Sequence, residues 1–275
     1  MTPSPTLTPT VTATVRPFPQ DLIQATLKNW TQKFEGTSGV VVAALEGDSQ
    51  VVHNGDRRFE AASLVKLPIL IELARRGDLG RELVFEERHR VGGSGVLKDR
   101  PAGGSYRLDQ LATWMIAESD NVATDMLLEE LGLESLGPAM QKLGFRNTTV
   151  ERTIFDFGAI DGGRDNRISA ADAARMLLGI ARQEYPGSPW MLEILHQTKR
   201  QDLIPAGLPK GTKVAHKTGE LTGFLHDAAI VEGEPPYVLV ILTEGVDKAV
   251  AQPWIVGFTG ELHGCIQDSV PASKE

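Results

Sequence analysis

A single cysteine, Cys265, among 275 residues excludes an internal disulfide. Near the C-terminus it reads as a small buried hydrophobe. No stretch approaches the roughly 18 consecutive apolar residues that a bilayer-crossing helix requires, so no membrane span is expected. Concentrated positive charge is missing as well. Lys and Arg number 28 against 36 Asp and Glu, a net charge of −8, which excludes the basic face that a nucleic-acid backbone demands. The six histidines form neither His-x-His nor His-Glu-x-x-His, and no Gly-rich phosphate loop follows a predicted strand. No metal and no cofactor is therefore implied. There is no internal repeat. The first twenty residues are rich in Thr and Pro, lack the apolar centre of a secretory signal, and read as a flexible tail. A start after a removed signal and a mis-assigned start both fit that pattern.

What is present suits a large globular core, with 41% hydrophobic residues. Helical spacing marks 21–34, 64–74, 111–116, 122–131, 136–143, 173–180 and 191–196, with a terminal helix over 247–265. Asp109 and Ser169 stand as helix caps, and Gly77, Gly80 and Gly132 as helix ends. Valine-rich runs predict strands at 39–45 and 51–53, then at 212–217, 228–232 and 237–242. Two early strands, three late ones and helices between them predict a mixed α+β fold. Its antiparallel sheet of about five strands would be flanked by helices and interrupted by an all-helical domain. The division expected is a tail over 1–20, a discontinuous sheet domain over 21–61 and 206–270, and a helical domain over 62–205, with the cleft between the two domains. The five-glycine stretch 91–108 and the weakly periodic stretch 152–168 read as loops beside that cleft.

The stretch 59–73 organises the rest. It sets Ser63 and Lys66 three residues apart, on neighbouring surface of one turn, at the mouth of an apolar helix. Unpaired N–H groups at a helix start can also stabilise negative charge beside the serine. Pro68 fits a helix interior poorly, so the first turn is expected to be irregular or to begin nearer Pro68. Alone, Ser-x-x-Lys arises about once by chance in such a chain. It does not stand alone, because Ser119-Asp120-Asn121 and Lys217-Thr218-Gly219 follow in order.

This trio resembles the signatures of class A β-lactamases and penicillin-binding proteins. The likeness extends through GSGVL at 93–97, MIAESDNVATDMLLEELG at 115–132 and VAHKTGELTGFLHDAAIV at 214–231, covering roughly residues 20 to 265. It implies a β-lactamase/transpeptidase-like fold with the active site between sheet and helices. It also implies a monomer acting on a small β-lactam or related amide or ester, with a periplasmic or secreted address. Ser63 would be the nucleophile and Lys66 its base, with a pKa depressed by burial and by the ammonium of Lys217. Ser119 would relay a proton to the leaving nitrogen. Asn121 would hold a substrate side-chain amide, while Lys217, Thr218 and Gly219 meet a substrate carboxylate. The backbone N–H groups of Ser63 and Glu220 would form the oxyanion hole. Asp120 reads as a buried structural residue.

The likeness breaks at one place. The family's deacylating glutamate, two residues past an arginine, falls on Ile154 when Arg152 is aligned, and a water-holding asparagine falls on Gly158. Arg152 and Asp165 resemble the ion pair that closes this loop. Asp156 is the nearest carboxylate that could replace the base or else anchor the loop, and Glu118 is a second candidate. Glu220 brings a negative charge that would disfavour anionic substrates, and His226 reads either as a carboxylate ligand or as a packing residue. Two functions follow. One is a serine hydrolase of this family with slow deacylation. The other is a penicillin-binding, peptidase-like or esterase relative that stays acylated.

Overall fold

The computed structural model describes residues 18–268. In chain order the helices are α1 (Gln20–Thr31), α2 (Lys66–Arg76), α3 (Leu108–Ala117), α4 (Asn121–Leu131), α5 (Leu133–Lys142), α6 (Phe157–Asp161), α7 (Ala170–Ala181), α8 (Ser188–His196) and α9 (Lys248–Asp268). The strands are β1 (Thr37–Ala44), β2 (Gln50–His53), β3 (Arg58–Glu60), β4 (Glu82–Val84), β5 (Ser105–Arg107), β6 (Arg167–Ser169), β7 (Lys213–Leu221), β8 (Phe224–Glu232) and β9 (Tyr237–Glu244).

Five strands form one sheet in the order β2-β1-β9-β8-β7, each neighbouring pair antiparallel. Successive side chains of a strand point to opposite faces. Accordingly Val40, Val42, Leu239 and Ile241 join α1 and α9 in one core, while Val41, Ala43, Val238, Val240 and Leu242 join α2, α7 and the remaining helices in the other. The sheet is apolar on both faces because both are covered. β7 is an edge strand, and its free edge lies against the 3-10 turn Ala62–Val65 that carries Ser63.

α2 shows how the sequence reconciles a proline with a helix. The 3-10 turn precedes it, the α-helix begins at Lys66, and Pro68 falls in the first turn, where an N–H has no partner to lose. The irregular first turn is thus present, and the helix starts two residues before Pro68. Gly77, at φ +80°, closes it in the left-handed state that glycine adopts without strain.

Several expectations are corrected. Gly80 lies beyond the helix end. Asp109 is not a cap: Arg107 occupies that position, and Asp109 sits in the first turn of α3, paired with Arg107 at 2.7 Å. Most of the expected tail, 1–17, lies outside the described residues. Phe18 packs on the α1/α9 core and Gln20 begins α1, so those last positions belong to the fold. Cys265 is only half-buried, with its Sγ 3.3 Å from Thr26 Oγ1. The pairs β3-β6 and β4-β5 were not foreseen, because three residues are too few to display a period.

Candidate active site

Four chain segments deliver the site. The 3-10 turn and α2 place Ser63 and Lys66 on one turn, and their side chains meet at 3.2 Å. Ser119 stands between α3 and α4 at φ +53°, and Ala62 beside the nucleophile sits at φ +45°. Left-handed backbone is uncommon for non-glycine residues and marks geometry imposed by the surroundings. At Ser119, the adjoining Asp120 supplies that constraint. Its Oδ1 caps α4 through Ala123 N–H at 2.9 Å, and its Oδ2 accepts the N–H groups of Val96 and Leu97 at 2.7 and 2.9 Å. Asp120 thus ties the 92–97 turn to the start of α4. That turn passes so close that a side chain at Gly95 would lie 2.5 Å or less from the Asp120 carboxylate. Loss of such a cap alone costs about 1 kcal/mol.

Lys66 is fully buried and its Nζ has four neighbours. Ser119 O lies at 2.7 Å, Asn121 Oδ1 at 3.0 Å, Ser119 Oγ at 3.0 Å and Ser63 Oγ at 3.2 Å. Two of these are carbonyl oxygens, which only accept. A neutral amine spends its two N–H bonds on them and keeps its lone pair for a hydroxyl proton. The environment favours that neutral form. Burial, then the ammonium of Lys217, hold the Lys66 pKa well below its ordinary value, while Asp120 and Asp125 oppose the shift. Both lysines bond Ser119 Oγ, Lys217 at 3.1 Å. Two ammonium groups at such separations repel by roughly 3 kcal/mol at an effective dielectric near 20. Lys217 itself is lowered to about 7, chiefly by burial. Ser119 Oγ also donates to Ser63 Oγ at 3.0 Å, so hydroxyls and amines form one proton-sharing cluster.

On β7, Thr218 and Gly219 follow Lys217 and are buried. A side chain at Gly219 would stand 3.2 Å from Ala62 Cβ and 3.3 Å from Ser63 N, filling the space in front of the Ser63 N–H. Behind Lys217, His216 and Asp227 form a fully buried pair at 2.9 Å, and Asp227 also accepts the Ile204 N–H at 3.0 Å. Asn121 completes the rim, its Nδ2 donating to Gly92 O at 3.1 Å.

The remaining expected side chains are engaged away from the serine-lysine cluster. His226 is turned into the fold. Its Nδ1 accepts the Thr243 N–H at 3.2 Å and its Nε2 donates to Glu60 O at 2.9 Å, so no ring nitrogen is left for a ligand carboxylate. Burial lowers its pKa to about 4, which keeps it neutral. Glu220 is exposed, but Arg200 at 2.5 Å and Lys248 at 3.2 Å compensate its charge, so the expected repulsion of anions is cancelled at its source. Glu118 is paired with Lys199. Asp156 caps α6 through the Ala159 N–H at 2.9 Å and makes no contact with the serine-lysine cluster.

The 152–165 loop is closed by Arg152 and Asp165 at 2.7 Å, both nearly buried. Ile154 packs against the core with its apolar side chain. Its N–H is accepted at 2.8 Å by Asp125, a residue that sequence reasoning passed over. Asp125 lies one turn after Asn121 on α4, and burial raises its pKa to about 6. An aspartate among apolar residues four positions beyond Asn121 was the only available signal, and a solvated helix position explains that equally well. Asp125, Ile154, Phe155 and Asp156 share a cleft of about 670 Å³ with Arg88, His89 and Glu129. Among the described residues no cluster of metal-ligating side chains occurs.

A family model described as the beta-lactamase enzyme family matches residues 22–258. A beta-lactamase of Streptomyces lavendulae is 28% identical over 260 residues, 86% of this chain and 83% of that one. The crystal structure of a beta-lactamase from Sphaerobacter thermophilus superposes with a TM-score of 0.80 at 26% identity, covering 91% of this chain and 98% of the other. A mutant of PBP-A, solved as an acyl-enzyme complex with penicillin G, superposes with a TM-score of 0.80 at 27% identity, covering 90% and 97%.

Proposed function

The chain belongs to the beta-lactamase enzyme family, and from that premise we propose that it is a serine hydrolase acylated at Ser63 by a β-lactam or a related amide or ester. The observation that carries this reading is the Lys66 Nζ position, within 3.2 Å of Ser63 Oγ, with its two N–H bonds already committed to Ser119 O and Asn121 Oδ1.

In this reading the substrate lies in the cleft between the sheet segments (21–61 and 206–270) and the helical segment (62–205). Neutral Lys66 takes the Ser63 hydroxyl proton as Oγ attacks the carbonyl carbon. The oxyanion that forms is met by the Ser63 and Glu220 backbone N–H groups, in the space that Gly219 keeps open. The C–N bond then breaks, Ser119 gives its hydroxyl proton to the departing nitrogen, and the protonated Lys66 restores the Ser119 proton across 3.0 Å. Lys217 and Thr218 hold the substrate carboxylate, and Asn121 holds the amide of the acyl side chain.

Hydrolysis of the acyl-enzyme is the slow half. Ile154 occupies the position of the family's loop glutamate with a side chain that cannot accept a proton, and Asp156 is committed to capping α6. The same observation favours a second reading, a penicillin-binding relative that remains acylated, and the PBP-A acyl-enzyme complex lends it support. Steady-state hydrolysis of nitrocefin tests the first reading. Turnover that vanishes in Ser63→Ala supports the hydrolase, while a single stoichiometric burst without turnover supports the second.

A further inference from the structure

Successive side chains of β7 point to opposite faces of the sheet. Ala215, and with it Lys217, faces the core around α2, whereas Val214, and with it His216 and Thr218, faces the core of α1 and α9. On β8, Asp227 stands opposite Thr218, so its side chain lies on the α9 face, directly behind the strand that carries Lys217. Asp227 and His216 are both fully buried and meet at 2.9 Å. The surrounding hydrogen bonds fix their protons. Gln201 Nε2 donates to Thr198 O at 2.6 Å and to His216 Nε2 at 3.2 Å, so the ring accepts at Nε2 and donates from Nδ1 to Asp227 Oδ1. A ring with one proton is neutral. The Ile204 N–H donates to Asp227 Oδ2 at 3.0 Å, so both oxygens accept, the pattern of an ionised carboxylate. The pair thus carries one uncancelled negative charge in the interior.

A buried charge is costly unless an opposite charge answers it. The charge that answers Asp227 is the ammonium of Lys217. Three elements bring ionic groups against that ammonium: α2 brings Lys66, the segment before the turn Ile204–Gly207 brings Arg200, and β8 brings Asp227. Its direct contacts, Ser119 Oγ at 3.1 Å and Thr218 O at 2.9 Å, are neutral. Glu220, further along β7, is taken up by Arg200 and Lys248. Burial drives the Lys217 amine toward its neutral form, Asp227 opposes this and Arg200 adds to it, which leaves the pKa lowered to about 7.

We propose that Asp227 is a positioning residue that acts through the sheet, supplying the counter-charge that keeps Lys217 an ammonium and so sustains its grip on a substrate carboxylate. This rests on the reading of Ser63 as the acylated nucleophile and of Lys217 as the group that meets that carboxylate. His216 has the supporting part. Its neutral ring holds Asp227 in place without cancelling the charge, and Gln201 and Thr198 tie the same ring and strand to the segment that leads into the turn Ile204–Gly207. Without the Asp227 charge, Lys217 loses its proton at lower pH, and a carboxylated substrate loses its partner with it.

The test follows the second-order rate of acylation by benzylpenicillin with intact-mass spectrometry between about pH 5 and about pH 10, a range that spans the titration of Lys217. Asp227→Asn and Asp227→Ser both remove the charge, so the test does not hang on the folding of either one, which far-UV circular dichroism checks. His216→Gln disturbs the same buried pair and leaves the charge. The inference predicts that the alkaline limb moves down by about one pH unit in the Asp227 variants and stays within about half a unit of wild type in His216→Gln. The methyl ester of benzylpenicillin, which offers no carboxylate, should show no such displacement. An unmoved limb in a folded Asp227 variant, an equal displacement in His216→Gln, or an equal displacement with the ester overturns the inference and leaves the Ser63 reading intact. Failure of wild-type protein to form an adduct with benzylpenicillin or its ester overturns the reading itself and the inference with it.

Discussion

The carboxylate of Asp125 accepts the backbone N–H of Ile154 at 2.8 Å, fastening the 152–165 loop to α4 one turn after Asn121. A half-buried acid thus holds the second residue after Arg152 in that loop.

Burial of this carboxyl makes stability depend on pH in a defined direction. The Asp125 pKa is about 6 in the fold against an ordinary 3.8, chiefly through burial, with the Ile154 N–H, Lys66 and Arg152 opposing. The folded state binds this proton more tightly than the unfolded chain. Its contribution is therefore fully present below 3.8 and is lost as pH rises through about 6. The ionised carboxylate costs roughly 2–3 kcal/mol at pH 8. Asp125→Asn keeps an oxygen for the Ile154 N–H and removes the charge. Its melting temperature should exceed wild type by roughly 5–10 °C at pH 8, with the gap closing near pH 4. An equal gap at both pH values counts against this account.

Lys217 acts on Lys66 through charge. In the proposed mechanism acylation uses neutral Lys66, so its rate is expected to fall as pH drops through the depressed Lys66 pKa. Removing the neighbouring ammonium raises that pKa, though burial, the larger cause, persists. In Lys217→Ala the acidic limb of the acylation profile should move up by roughly one to two pH units. An unmoved limb separates the two lysines electrostatically.

Gly219 answers to space rather than to backbone freedom. A methyl group there would lie 3.3 Å from Ser63 N, a contact the fold absorbs with small shifts but an oxyanion does not. Gly219→Ala should lower the acylation rate at least about a hundredfold, the scale of losing one oxyanion-hole donor. Its melting temperature should change little, as differential scanning calorimetry would show.

Ile154→Glu should restore a proton acceptor for the hydrolytic water. The lifetime of the acyl-enzyme, followed after removing free penicillin, should shorten about a hundredfold, within the range general bases supply. An unaltered lifetime would mean that the loop holds this side chain away from the acyl carbon.

The sequence disclosed the site unevenly, for physical reasons. Ser63, Lys66, Ser119 and Lys217 were legible because three short signatures in fixed order leave few alternatives, and the five-strand sheet because four of its five strands are eight or nine residues long. Asp125 was hidden inside an amphipathic helix pattern that a solvated carboxylate would fit as well. His226 looked available because it follows the Lys-Thr-Gly signature on the neighbouring strand. Only register revealed that it stands opposite Gly219 and Leu242 with both ring nitrogens bound to backbone. Glu220 looked repulsive until Arg200 and Lys248, 20 residues before it and 28 after it, were brought against it.

The most direct test is a time-resolved intact-mass measurement on the protein mixed with benzylpenicillin, followed by peptide mapping of the adduct. The account predicts one covalently bound penicillin on the peptide containing Ser63, absent in Ser63→Ala and slow to disappear in wild type. No adduct and no hydrolysis in wild type, or an adduct that survives in Ser63→Ala, would contradict it.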